Sequence, residues 1–438
     1  MLRNRIWYHP AASAAPAATQ AEPSFAIPAE MRALVMDGVG FHHLQVRKVP
    51  TPRPGPRQML ARVDAAGICT SNIKLVEQGP DHKLVYGWDV TRYPLILGDE
   101  GSVTLVEVGQ ELRERYRPGQ RYVIQPAVDH APINYPERYR DGARGIVKVA
   151  VGYTLGGHLA EYILVTEEIL AADCLIPLPD AVLPYAHVAM SEPLSCVISG
   201  QDHHVHLTQA GPLAPRSVLK GLKPGGVTVI VGSGAMGRMH LDLALSYRPR
   251  AIVATDFIEE RLERARQLFG TRAEQLGVAL YAVNAGQTDV RELVNELTDH
   301  RGADDVIVAV GSGKAIQAAQ SHIGRGAVLN LFGGLKKGED IVGLDTSLVH
   351  YQEINVTGSS GGSPWDVVRT LELMAGGDID AGAHITRIGD LDHAVEFLEM
   401  VRAQQIDGKA VVYPHRHTDQ IMAVPAWTAE DERAYLGI

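Results

Sequence analysis

The chain has 438 residues, 45% of them hydrophobic and 21% charged, with 51 Asp and Glu against 41 Lys and Arg for a formal charge of -10. This composition suits a globular protein of two or three domains, and the negative balance argues against nucleic acid as a partner, which calls for a basic surface. No apolar run approaches the ~20 residues that cross a bilayer, and the three cysteines, Cys69, Cys174 and Cys196, are too few for a disulfide framework, which points to a reducing, cytoplasmic setting.

Residues 1–30 are rich in Ala and Pro and lack both apolar periodicity and the continuous apolar core of a secretory signal. They read as a disordered extension. Residues 31–196 are expected to be β-rich, because short runs such as RALVM, MLARVDAAG, SVTLVEVG and RYVIQPAV are broken by Gly and Pro. From 197 to 357 the pattern changes to buried strands alternating with helices: VTVIV, a glycine turn, MGRMHLDLAL, then AIVATD and FIEERLERARQLFG, then DDVIVAVG, AVLNLFGG and EINVTGSS. That alternation implies α/β architecture with a doubly wound parallel sheet. Two further helices, DVVRTLELMAGG and LDHAVEFLEMVRAQQ, lead to GKAVVYP, so residues 358–415 are expected to return to the first domain and 416–438 to form a tail.

VIVGSGAMG sets Gly232, Gly234 and Gly237 in the spacing G-x-G-x-x-G, after a buried strand and at the start of a helix. The first glycine permits the tight turn, the second lets backbone approach a pyrophosphate, and the third lets helix and strand pack closely. Asp256 ends the next strand, about 20 residues on, where a carboxylate accepts hydrogen bonds from ribose hydroxyls and repels a 2′-phosphate. Phe257 and Ile258 follow it rather than arginines, which agrees with NAD over NADP. Ala235 and Met236 between the glycines, and Arg261 on the following helix, complete the expected cofactor set.

GICTSN places Cys69 after a strand, GDEG places Asp99 and Glu100 about thirty residues later, and MSEPLSC places Glu192 before the nucleotide domain. One thiolate with carboxylates is a reasonable zinc set, and three protein ligands leave a position for substrate. Each has an ordinary alternative: a packed cysteine, a solvated acidic pair, a glutamate that starts a turn. The cluster His203, His204 and His206 in QDHHVHLT reads as a substrate-rim or interface segment.

The order of GICTSN, GDEGSVTLVEVG, PGQRYVIQP, SEPLSC, LKPGG, VGSGAMG and GKAVVYP resembles the zinc-dependent medium-chain alcohol and polyol dehydrogenases over roughly residues 31–415. Within them it is most similar to the sorbose-1-phosphate reductase type, through VIQPAV, the histidines of QDHHVHLT and GSSGGS. The resemblance implies a GroES-like β-rich catalytic domain with a Rossmann domain inserted before its last segment. It also implies NAD, a polyol or sugar (phosphate) substrate and a homodimer or homotetramer. Cys69 falls on the cysteine ligand, Ser71 on the hydroxyl that relays the substrate proton, Glu100 on the glutamate of the GHE motif and Glu192 on the glutamate that polyol dehydrogenases place near the metal.

Two positions depart from that pattern. Asp99 stands where the histidine ligand belongs, and Lys74 where a histidine often ends the proton relay. Lys74 then serves as proton relay or as contact for a substrate phosphate, with Lys83 nearby. The loop that holds a structural zinc is missing, so one catalytic zinc is expected. Four ionised donors around a divalent zinc leave the site at -2, which favours either one carboxylate standing back from the metal, with Lys74 or a helix dipole offsetting charge, or a site that binds metal weakly, prefers a harder ion or is empty. The rival readings are a metal-free reductase on the same fold and a non-catalytic NAD-binding sensor.

Overall fold

A computed structural model of the chain describes residues 23, 25–130, 133, 135–179, 183–335 and 338–438. Most of the proposed amino-terminal extension lies outside the described residues.

Strand Met59–Gly67 is the centre of the β-rich part. Glu100–Val108, Arg121–Ile124 and Leu175–Pro177 follow it on one side, and Lys409–Tyr413, Ile385–Asp390 and Met422–Ala423 on the other. Tyr162–Val165 pairs with its first half. A smaller sheet joins Leu44–Pro50, Glu30–Met36 and Leu95–Ile96. The apolar faces of these strands meet in a core that includes Met59, Leu105, Ile124 and Phe397, all with no solvent exposure. Lys409–Tyr413 lies antiparallel to the central strand with Val411 opposite Gly67.

The second sheet has six parallel strands in the order Ala279–Asn284, Ala251–Asp256, Val227–Val231, Ala303–Val308, Ile323–Asn330, Asn355–Thr357. In chain order that is 3-2-1-4-5-6, the dinucleotide-binding arrangement. Val229 and Val253 face Val294 and Ile316 on one side, while Ile230 and Ile252 face Leu241 and Phe269 on the other. Both faces are covered by helices, which is why the strands read as unbroken apolar runs.

Helix Ser191–Asp202 runs through the expected domain border at 196 and packs against Pro364–Ala375, tying the two parts together. The tail ends in helix Ala429–Leu436, whose Glu432 accepts from Tyr185 N at 2.7 Å, Ala186 N at 2.8 Å and Tyr413 Oη at 2.8 Å. Among the described residues no helix is long and apolar enough to cross a membrane.

The histidine cluster needs correction. Only His203 is exposed. His204 Nδ1 and His206 Nε2 lie 2.6 and 2.9 Å from Asp305 Oδ1, all three buried beneath the nucleotide sheet. A buried carboxylate demands partners, and these imidazoles supply them. They are core residues of the Rossmann domain, not a substrate rim.

Candidate active site

Glu100 opens its strand directly opposite Gly67. A Cβ on residue 67 would meet Glu100 Oε2 at 2.0 Å, so only glycine leaves room for the carboxylate to fold inward. Glu100 is fully buried. Its Oε1 accepts from Lys409 Nζ at 2.5 Å, while Oε2 has no hydrogen-bond partner. Lys409 is delivered by the first residue of the strand on the far side of Gly67.

The chain leaves the central strand at Gly67, and Cys69 caps helix Thr70–Gln78 by accepting from Ser71 N at 3.5 Å. The charge of Glu100 acts on the thiol. Burial pushes the Cys69 thiol well above its usual range, and the charges of Asp99, Glu100 and Glu192 push it further, against Lys409. A divalent cation inverts that logic by stabilising the thiolate.

Gly98, with φ of +105°, makes the turn that sends Asp99 inward. Asp99 Oδ2 accepts from Ser71 Oγ at 2.5 Å and Oδ1 from Asn72 Nδ2 at 3.2 Å. Burial raises the Asp99 carboxyl, and the Ser71 hydrogen bond opposes it. Glu192 sits in the first turn of helix Ser191–Asp202. Cys196, one turn later, donates its thiol to Glu192 Oε1 at 3.5 Å. Burial, then the charges of Asp99 and Glu100, hold the Glu192 carboxyl well above its usual range.

The fold thus brings Cys69, Asp99, Glu100 and Glu192 into one electrostatic field. No three of their donor atoms lie within 4.8 Å of one another, so the set converges without being drawn to ligand spacing. The donor chemistry fits zinc: one sulfur, several carboxylates, and a buried orphan oxygen on Glu100 that is costly without a partner. Lys409 raises the net charge of the four-donor zinc site from -2 to -1. That compensation was missed in the sequence. Its signal is a lone lysine opening the apolar run AVVY.

Tyr153 was missed as well. It is buried, its ring lies 5.2 Å from that of His82, and burial and then the charge of Asp99 push its phenol well above the usual range. Lys74 lies one turn after Ser71 on the same helix and is exposed. Its Nζ lies 3.5 Å from where a Cβ on Gly334 would stand, so it faces the nucleotide domain across the cleft.

At the nucleotide loop, Gly232 has φ of +97° and a Cβ on Gly237 would stand 1.8 Å from Gly232 O. Gly234 caps helix Ala235–Ser246, with Ala235 and Met236 in its first turn. Asp256 Oδ2 accepts from Ser233 N at 2.9 Å, and Oδ1 from Phe257 N at 2.8 Å and Ile258 N at 3.1 Å. Arg261 Nη1 stands 3.6 Å from Asp256. Buried Arg238 donates to Ser233 O and pairs with Asp407 at 2.8 Å. Asp407 lies two residues before Lys409, so one short segment touches both the dinucleotide loop and the Glu100 site.

Comparison with known proteins agrees with this architecture. Residues 55–180 match the family described as alcohol dehydrogenase GroES-like domain, and residues 235–376 the one described as zinc-binding dehydrogenase. Mannitol-1-phosphate 5-dehydrogenase of Aliivibrio fischeri is 30% identical over 387 residues, covering 86% of this chain and 85% of its own. L-sorbose 1-phosphate reductase of Klebsiella pneumoniae is 29% identical, covering 82% of each. The crystal structure of 2R,3R-butanediol dehydrogenase from Bacillus subtilis superposes with a TM-score of 0.69 at 22% identity, over 88% of this chain and all of its own, and shows the shared fold. The chain belongs to the zinc-type medium-chain alcohol and polyol dehydrogenases. It is an oxidoreductase of the NAD(P)-dependent kind, which sets aside the sensor reading.

Proposed function

We propose that the chain transfers a hydride between NAD and a secondary alcohol or ketone of a polyol, sugar or sugar phosphate. The site holds one zinc through donors drawn from Cys69, Asp99, Glu100 and Glu192, with no second, structural zinc. The observation that carries this is the buried Glu100 carboxylate, with one oxygen on Lys409, the other orphaned, and the Cys69 thiol beside it. The chemistry a bound zinc supplies is Lewis-acid polarisation of the substrate oxygen.

The protein's own groups handle the proton. Ser71 Oγ donates to Asp99 and accepts from Asn72 Nδ2 at 3.4 Å, which leaves one lone pair to accept from a substrate hydroxyl. The proton passes from Ser71 Oγ to Asp99 Oδ2, whose carboxyl burial has already made more basic. The negative charge of Asp256 at the ribose end supports NAD over NADP. The reactions named for the mannitol-1-phosphate and sorbose 1-phosphate relatives support a polyhydroxylated substrate. Strand Asn355–Thr357 leaves one sheet edge unpaired, with Val356 exposed, which supports a homodimer or homotetramer. Three free cysteines support a cytoplasmic location.

A second reading, a metal-free reductase, is favoured by one observation: both Asp99 oxygens are already engaged, by Ser71 and Asn72. Chelation separates the two. NADH-linked turnover of a ketose phosphate should vanish with a zinc chelator and return with added zinc. Turnover that survives chelation favours the second reading.

A further inference from the structure

Lys74, His82 and Tyr153 form a corner of the cleft that the hydride chemistry leaves unused. Lys74 lies one helical turn from Ser71, so the two share a face. Its ammonium stands over Gly334 of the nucleotide domain and makes no ion pair among the described residues. Its charge acts on His82, which burial and then Lys74 shift toward the neutral form.

His82 is held in one orientation. Its Nδ1 accepts from Leu84 N at 3.2 Å, which leaves the proton of the neutral ring on Nε2. Its ring lies 5.2 Å from that of Tyr153. The His82–Tyr153 ring pair and the helix face of Ser71 and Lys74 thus supply this corner with a fixed N–H donor and a cation. Lys83, exposed, adjoins it. Asp99, Glu100 and Glu192 are buried, and of the exposed carboxylates beside this corner in the chain, Glu77 makes no ion pair with Lys74 among the described residues and Asp81 pairs with Arg140. A cation and a neutral N–H donor without an acceptor of their own suit the several acceptor oxygens of a phosphate monoester.

Resting on the polyol reading above, we infer that Lys74 and His82 bind the phosphate of a phosphorylated polyol or ketose, making the enzyme selective for the phosphomonoester over the free sugar. Lys74 is then a specificity-determining cation and not the end of the proton relay.

The test compares L-sorbose 1-phosphate with L-sorbose, using zinc-loaded enzyme and NADH, in wild type, Lys74→Gln, Lys74→Arg and His82→Gln. The wild type is expected to prefer the phosphate ester in kcat/KM by at least about tenfold. Lys74→Gln should shrink that preference about tenfold or more, through KM, since one charge-assisted contact is lost. His82→Gln should shrink it less, and Lys74→Arg should keep most of it. Inorganic phosphate should compete with the ketose phosphate in wild type and poorly in Lys74→Gln. Equal losses on both ketoses, with an altered pH profile, would overturn the inference and return Lys74 to proton relay. If neither ketose reacts, the polyol reading fails, and the corner is still tested. Inorganic phosphate should raise the melting temperature of the NADH complex in wild type more than in Lys74→Gln, and equal shifts would overturn it.

Discussion

Lys409 Nζ and Glu100 Oε1 lie 2.5 Å apart in a core that leaves the lysine side chain 8% exposed and the glutamate wholly covered. Burial works against both charges, and the ion pair opposes it on each, although the Glu100 carboxyl still stands above its usual value, with Asp99 pushing the same way. Burial lowers the Lys409 ammonium, but Glu100 and Cys69 outweigh it and the net shift is upward. Removing one member strands the other in low dielectric, at a cost of about 3–5 kcal/mol. Lys409→Met should therefore lower unfolding free energy by that order in urea titrations. The double variant Lys409→Met, Glu100→Gln should regain part of the loss.

The Ser71–Asp99 hydrogen bond predicts a kinetic signature. Ser71→Ala removes the hydroxyl proposed above to take the substrate proton. A positioned general acid–base group contributes roughly 10²–10⁴-fold, so kcat should fall by about that range with little change in the KM for NAD. Steady-state kinetics with both substrates varied checks it.

Asp256 predicts cofactor choice. Its carboxylate accepts from three backbone N–H groups at the strand end that, on the NAD reading proposed above, faces the adenosine ribose. Asp256→Ala should weaken NAD binding, because the loop loses its anchor, and should improve NADP relative to NAD by about tenfold or more, one lost charge contact being about 1.4 kcal/mol. The ratio of kcat/KM values is the measurement.

Asp305 predicts an acid limb of stability. Burial alone would raise its carboxyl, but hydrogen bonds from His204 and His206 hold it at about 2, below the 3.8 of a free side chain. A depressed carboxylate stabilises the fold above the unfolded value and loses that contribution as pH falls from about 4 toward 2. The difference corresponds to roughly 2.5 kcal/mol. Asp305→Asn should be less stable than wild type at neutral pH, and the gap should close as pH approaches 2. Urea melts across that range test it.

The nucleotide domain was legible because its signals are local. An apolar strand, three glycines at fixed spacing and Asp256 at the end of the next strand lie within one unit of the chain, and the structure puts them at the carboxyl ends of two adjacent inner strands of one sheet. The return of GKAVVYP to the first domain was expected from the order of the elements, but its strand neighbour was not, since nothing in five apolar-rich residues names it. For the same reason Lys409 was overlooked: its partner, Glu100, is more than 300 positions away in sequence. His204 and His206 misled because a strand with alternating histidines looks amphipathic, and the buried Asp305 that draws them inward comes from a different strand. Cys69, Asp99, Glu100 and Glu192 could be named from their motifs, but not the engagement of Asp99 by Ser71 and Asn72, which depends on how the Gly98 turn meets the helix that Cys69 caps.

The most direct measurement is the zinc content of the purified chain by plasma mass spectrometry, beside a Cys69→Ala variant confirmed to be folded. The account predicts about one zinc per chain in the wild type and less than about a tenth of that in the variant, with activity following the metal. Wild-type protein that takes up no zinc after dialysis against it, yet still oxidises a polyol with NAD, would contradict it.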